Sequence, residues 1–333
     1  MINQPRQIGP YRVQRQIGQG MAQVFLATHP RQGQVALKLL PPAYTRQREA
    51  EARFRREARV LQRLRHPNIL RLYESGIWQP PGTSDRCYFL AAEYLPDGTL
   101  EALLRSYPRG MPEAQALPLA IQIADALAYA HDQNVVHRDL KPSNIMLRGG
   151  QVVLGDFGIA RELAERTIGQ GQRIVGTLAY MSPEQTWGSA QAVGRGSDIY
   201  SFGVLCYELL AGSQPRNNPE LPDVVVIQMI RDTPLPPLAQ VAPSVSPEVA
   251  AIIQRCLEPQ RGQRYATMQQ VAGLLRQAAF QRGQPVPGQA PAMRPPAPRA
   301  PWLLVGLVGI AAALLLAIAL VLALALLPGV APL

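Results

Sequence analysis

The sequence predicts an α+β fold of two lobes, a small β-rich lobe with one helix and a larger, mainly helical lobe, followed by one C-terminal helix able to span a bilayer. Three observations carry this. Apolar stretches broken by Gly and Pro turns dominate residues 11 to about 95, amphipathic helical spacing takes over from there to about 280, and uncharged, overwhelmingly apolar residues run from Trp302 to Leu327. Two lobes of this kind leave a cleft between them as the natural ligand site.

Composition bounds the reading. A chain of 333 residues that is 47% hydrophobic can fill sizeable cores. Cys87, Cys206 and Cys256 are far apart and form no CxxC pair, so neither a zinc site nor a disulfide framework is expected, and a reducing cytosol fits. The net charge of +10 permits several anionic partners and selects none, and no nucleic-acid partner is expected. Of 33 basic residues, only Lys38 and Lys141 are lysine. These two exceptions prove informative.

In chain order, IGQG (17–20), QVFLA (23–27), QVALKLL (34–40) and CYFLAAEYL (87–95) read as strands. The Arg-rich stretch from Arg46 to Arg65 places Phe54, Ala58, Leu61 and Leu64 at helical spacing, its arginines reading most simply as a solvated face. Farther on, Leu117, Ile121, Ala124 and Leu127 share one helix face, as do Ile199, Phe202, Cys206 and Leu209. Asp198 opens that second helix, where an N-cap is its ordinary role.

The chemistry concentrates between those two helices. Asp139, Lys141 and Asn144 lie within HRDLKPSN, where Pro142 prevents an ordinary helix, so a carboxylate, an ammonium and an amide project from a loop. Asp156 follows the apolar run VVLG at a glycine turn, and with Asn144 could supply oxygens to a hard divalent cation. Gly18 and Gly20 would let backbone N–H groups approach a phosphate closely. Each feature alone has a plainer reading as a turn or hairpin. Together, a Gly-rich turn, V-A-x-K, H-R-D-x-K-x-x-N and D-F-G follow one another at the spacings of protein kinases.

The chain thus resembles the bacterial eukaryotic-like serine/threonine protein kinases over residues 11 to about 275. The resemblance implies the two-lobed protein-kinase fold, a small lobe of about 11–95 and a large lobe of about 96–280, ATP with Mg2+ or Mn2+ as cofactors, and transfer of the γ-phosphate to Ser/Thr hydroxyls of protein substrates. Ile17, Gly18, Gln19, Gly20, Val24 and Ala36 would enclose the nucleotide, Lys38 would hold its α and β phosphates, and Glu57 would orient Lys38. Ala92 matches the gatekeeper, and Glu93 and Leu95 belong to the hinge that receives adenine. Asn144 and Asp156 would hold the metal, Asp139 would orient the substrate hydroxyl and accept its proton, and Lys141 would offset charge on the γ-phosphate.

Further landmarks match: Arg138 as receiver of an activation-loop phosphate, Thr167 as the autophosphorylation candidate, Thr177 as the threonine touching the catalytic loop, and Ser182 as a structural residue. Glu184 would pair with Arg264, and Asp198 would brace the catalytic loop. The lysine question then has an answer, because a compact ammonium and a planar five-donor fork are not interchangeable at a phosphate.

One departure stands out. Val24 comes six residues after Gly18 where the family has seven, and Ala22 or Gln23 replaces the third Gly, so the loop is shorter and stiffer. It is the one feature favouring the alternative, a membrane-tethered pseudokinase that binds nucleotide or partners. A small-molecule or lipid kinase is disfavoured by GTLAYMSPEQ (176–185), which the resemblance implies would hold a polypeptide substrate, and a P-loop enzyme is excluded because both lysines follow Leu.

At the ends, residues 1–10 read as a tail, and residues 1–20 contain no apolar run long enough for a signal peptide. Residues 281–301 hold seven Pro and read as a juxtamembrane linker of up to about 65 Å. Residues 302–327 make a helix of about 39 Å against a hydrocarbon core of about 30 Å, leaving 328–333 as a short external tail. Arg282, Arg294 and Arg299 precede the span and no cation follows it, so a single-pass protein of the cell membrane with a cytoplasmic kinase domain is expected. Gly306, Gly309 and Ala313 offer small residues through which the span could form a homodimer.

Overall fold

The computed structural model describes residues 5–19, 22–40, 42, 48–157, 178–187, 193–214, 216, 218 and 220–283, apart from the side chains of 48–51, 53 and 57. Among the described residues the small lobe is a six-stranded antiparallel sheet with one helix. Its strands are β1 (Gln7–Ile8), β2 (Tyr11–Gln19), β3 (Gln23–His29), β4 (Gly33–Leu39), β5 (Leu72–Trp78) and β6 (Cys87–Glu93), in the order β1-β2-β3-β4-β6-β5, and α1 spans Arg48–Leu61.

The period of two in β4 explains how this sheet builds a site. Val35, Leu37 and Leu39 are buried in the lobe core with Tyr11, Phe25 and Phe89, so Ala36 and Lys38 must face the other way. On β6, Ala92 pairs with Ala36 and Leu90 with Lys38, which puts these four side chains on one face, the roof of the interlobe cleft. The sequence reading found β2, β3, β4 and β6 but not β1 or β5. Helix α1 matches the expected Arg-rich helix: Phe54 stacks on Tyr88 with ring centroids 4.3 Å apart, while Arg55, Arg56, Arg59 and Arg63 are exposed.

The large lobe contains α2 (Leu100–Leu104), α3 (Glu113–Asp132), the hairpin β7 (Ile145–Arg148) and β8 (Gln151–Leu154), then α4 (Arg195–Ala211), α5 (Asp223–Asp232), α6 (Leu238–Val241), α7 (Pro247–Cys256) and α8 (Met268–Gln281). The faces predicted for α3 and α4 are buried in one core, including Leu117, Ile121, Leu127, Ile199, Phe202 and Leu209. Full burial of each such side chain contributes about 1.5–3 kcal/mol. Gly212 ends α4 in the left-handed region at φ 74°, packed so closely on Gly110 that a Cβ would lie 2.2 Å from its nitrogen.

One placement differs from expectation. Helix α4 begins at Arg195 behind Gly194, so Asp198 lies a turn inside rather than at the cap. Its side chain is thereby free to serve another segment. Among the described residues no helix is long and apolar enough to cross a membrane, and residues 302–327, like the linker from 284 onward, lie outside them.

Candidate active site

The cleft between sheet and helices has a volume of about 410 Å³, within the range of small-molecule sites. Of the residues singled out in the sequence, Ile17, Val24, Ala36, Lys38, Ala92, Glu93, Leu95 and Asp156 line it. Gly18 and Gln19 continue β2 outside this lining, and Gly20 lies outside the described residues. Sequence reasoning missed Arg15 at the mouth and an apolar interior of Leu61, Leu64, Leu72, Leu90, Met146 and Phe157. The apolar walls and short polar margin suit a planar base with a charged tail.

At the inner end, Lys38 Nζ donates to Asp156 Oδ1 at 2.7 Å. Asp156 holds a left-handed backbone at φ 49°, unusual outside glycine and a form of strain that persists where the surroundings impose it. Burial pushes its carboxyl upward, but the Lys38 charge and hydrogen bond, with Lys141, outweigh this and hold it below the ordinary carboxylate value. Glu57 belongs to α1, but its side chain lies outside the described residues.

The loop of Asp139, Lys141 and Asn144 is held from several sides. Pro142 opens a single 3-10 turn ending at Asn144, so the amide side chain turns back: Asn144 Nδ2 donates to the Asp139 carbonyl at 2.7 Å and to Asp139 Oδ2 at 2.8 Å. Lys141 Nζ is 3.3 Å from the same carboxylate oxygen. Across the β7–β8 hairpin, where Ile145 faces Leu154, the Gly155 N–H donates to the Asn144 carbonyl at 2.9 Å. The hairpin register thus sets Asn144 beside the segment bearing Asp156.

Beneath the loop, buried Asp198 accepts from His131 Nε2 at 2.7 Å, His137 N–H at 2.7 Å and Arg138 N–H at 2.8 Å. Arg138 also holds a left-handed backbone, at φ 65°. His137 is fully buried. Burial pushes its pKa down against the pull of Asp198 and other acids, and its bonds match a neutral ring, Nε2–H donating to the Gly155 carbonyl at 2.9 Å and Nδ1 accepting the Asp139 N–H at 3.4 Å. His131 escaped the sequence reading, although a histidine six residues before His137 at a helix end was a signal.

Arg264 Nη1 and Nη2 donate to the two carboxylate oxygens of Glu184 at 2.8 and 2.9 Å. Ser197 Oγ adds a third donor at 2.8 Å. Ser182 is fully buried, its N–H and Oγ donating to Gln185 Oε1, and Gln185 Nε2 donates to the Arg138 carbonyl at 2.9 Å. Gln185 therefore joins this segment to the residue preceding Asp139, a role no local pattern announced. Thr167 and Thr177 lie outside the described residues.

A divalent cation fits this donor set. Asp156 lines the cleft with its carboxylate, and Asn144 spends its amide nitrogen on Asp139, keeping an amide oxygen for a ligand. Hard oxygen donors of this kind suit Mg2+ or Mn2+.

Comparison with known proteins agrees with the geometry. The protein kinase domain family matches residues 11–273. A probable serine/threonine-protein kinase of Streptomyces coelicolor is 38% identical over 270 residues, covering 79% of this chain and 39% of the relative. The serine/threonine-protein kinase pkn2 of Myxococcus xanthus is 36% identical over 299 residues, 85% of this chain and 35% of the relative. The crystal structure of the Mycobacterium tuberculosis PknI kinase domain superposes with a TM-score of 0.63 at 26% identity, over 82% of this chain and 97% of that one. The chain belongs to the protein kinase family, with a domain of the bacterial eukaryotic-like serine/threonine type. It spans roughly two fifths of the length of these two curated relatives.

Proposed function

We propose that the protein is a serine/threonine kinase that transfers the γ-phosphate of ATP to hydroxyls of protein substrates and of its own Thr167. It is held at the cell membrane by residues 302–327, with the kinase domain on the cytoplasmic side and the Pro-rich linker between. The observation that carries the catalytic reading is the pairing of Lys38 with Asp156 in the lining of one apolar cleft, with the Asp139–Lys141–Asn144 cluster tied to the Asp156 segment by the Gly155 N–H bond to the Asn144 carbonyl.

Phosphoryl transfer demands positioning and charge more than covalent work. Bound Mg2+ would supply neutralisation of phosphate charge, held by Asp156 and Asn144. Lys38 grips the phosphates with a mobile ammonium. Asp139, its carboxylate fixed by Asn144 and Lys141, orients the substrate hydroxyl and receives its proton. Lys141 stands beside that carboxylate, where it offsets charge on the transferred group.

Radiolabelled ATP with the purified full-length chain and a generic basic protein, followed by phosphoamino-acid analysis, tests the chemistry. Label on Ser or Thr that Asp139→Asn lowers at least a hundredfold agrees; turnover equal in that variant contradicts. For the membrane reading, resistance of the chain to alkaline extraction, lost on deleting 302–333, is the expected result.

A further inference from the structure

The hinge residues after β6 are fastened, one by one, to the β7–β8 hairpin. Thr99 bridges to Met146, Leu147 N–H donates to the Gly98 carbonyl at 3.0 Å, and Gly149 N–H donates to Asp97 Oδ2 at 2.8 Å. Arg148 completes the series with its side chain. Its Nη1 donates to Glu93 Oε1 at 2.7 Å and its Nη2 to the carbonyl of Pro67, in the loop between α1 and β5. Glu93 N–H is in turn bonded to the Arg71 carbonyl at 2.9 Å.

We propose that Arg148 is a positioning residue for the nucleotide: from behind the cleft it clamps the start of the hinge and the Pro67 loop to the large lobe, fixing where Glu93 and Leu95 present their backbone. Arg148 does not line the cleft, whereas Glu93, Leu95 and Pro96 do, so it acts through them. An isolated ion pair with partners 40% and 24% exposed would contribute little. Arg148 differs because one rigid fork ties two small-lobe segments at once, and the planar guanidinium satisfies both geometries where a single ammonium cannot. The Pro67 loop is itself part of the lobe junction, since Leu154 N–H donates to the Asn68 carbonyl and Leu70 N–H to the Leu154 carbonyl.

The proposal rests on the kinase reading for its consequence but not for its mechanics, and the test separates the two. In the full-length chain without nucleotide, hydrogen exchange of amides 93–99 should quicken severalfold in Arg148→Met, which keeps the aliphatic stem, and less in Arg148→Lys. With ATP, Arg148→Met should raise the nucleotide Kd and KM about three- to tenfold with kcat within twofold, and Glu93→Gln added to it should cost little more, because both break one contact. Unchanged exchange at 93–99, or kcat falling while KM stays constant, would overturn the clamp. A wild type that binds ATP without turning it over would instead overturn the kinase reading and leave the exchange and Kd comparisons to decide the clamp.

Discussion

Lys38 and Asp156, 118 residues apart in sequence, are in contact at 2.7 Å and join the roof of the cleft to its floor. Strand pairing brings Lys38 there from β4, and the left-handed turn after β8 brings Asp156. The carboxyl is held low by this ammonium against a burial effect that pushes it up. In Lys38→Met the upward push loses the ammonium that chiefly opposes it, with Lys141 left beside it. Carboxyl-carbon NMR should therefore show Asp156 titrating at higher pH than in the wild type. A titration that does not move would refute the pairing.

Lys38→Arg tests the other side of this contact. A guanidinium keeps the charge but is broader and planar, so phosphate transfer should fall at least a hundredfold while the unfolding midpoint moves by no more than about 4 °C, the shift expected of about 1 kcal/mol. Activity retained within tenfold would show that any cation serves at this position.

Asp198 gathers three donors into one buried carboxylate. An amide in its place offers one acceptor and turns a donor toward other donors, so Asp198→Asn should cost about 2–4 kcal/mol in denaturant unfolding. It should also lower kcat, because Arg138 and the following Asp139 lose their anchor. Stability lost without any loss of kcat would assign Asp198 to folding alone.

The buried Glu184–Arg264 pair carries a pH dependence whose sign is fixed. Burial raises the Glu184 carboxyl, and the Arg264 and Ser197 bonds outweigh this and leave it below its ordinary 4.5. A carboxyl depressed in the folded state stabilises fully above its unfolded value and loses that contribution as pH falls through the folded value. The stability gap between wild type and Glu184→Gln should thus be constant above about pH 5 and shrink below 4.5. Arg264→Met, which strands the carboxylate, should cost about 3–5 kcal/mol at neutral pH.

Gln185 links Ser182 to the Arg138 carbonyl. Gln185→Leu removes all three of its side-chain bonds at little change in volume, and should lower kcat for a peptide about tenfold with the ATP KM unchanged, read by steady-state kinetics. A rise in the ATP KM alone would place its role elsewhere.

Much of this site was legible before any coordinates because its parts are local. Lys38 sits in an alternating strand, Asp139 to Asn144 in one proline-broken loop, and Asp156 at the end of an apolar run. What escaped notice is long-range or faint. Strand β5, LYESGIW, is an edge strand whose Glu74 is explained only by the Tyr11 hydroxyl at 2.6 Å, and β1 is two residues long. The helix bearing Asp198 starts earlier than supposed because Gly194, which caps it, looks like loop. Gln185 and Arg148 act on partners 47 and 55 residues away, and no spacing rule reaches that far.

Calorimetric titration of the full-length chain with ATP, with and without Mg2+, is the most direct check on the convergence of these side chains around one metal-bound nucleotide. Saturable one-site binding that strengthens with Mg2+, and loses that strengthening in Asp156→Asn, is the predicted result. No ATP uptake by the wild type, or uptake indifferent to Mg2+, would contradict it.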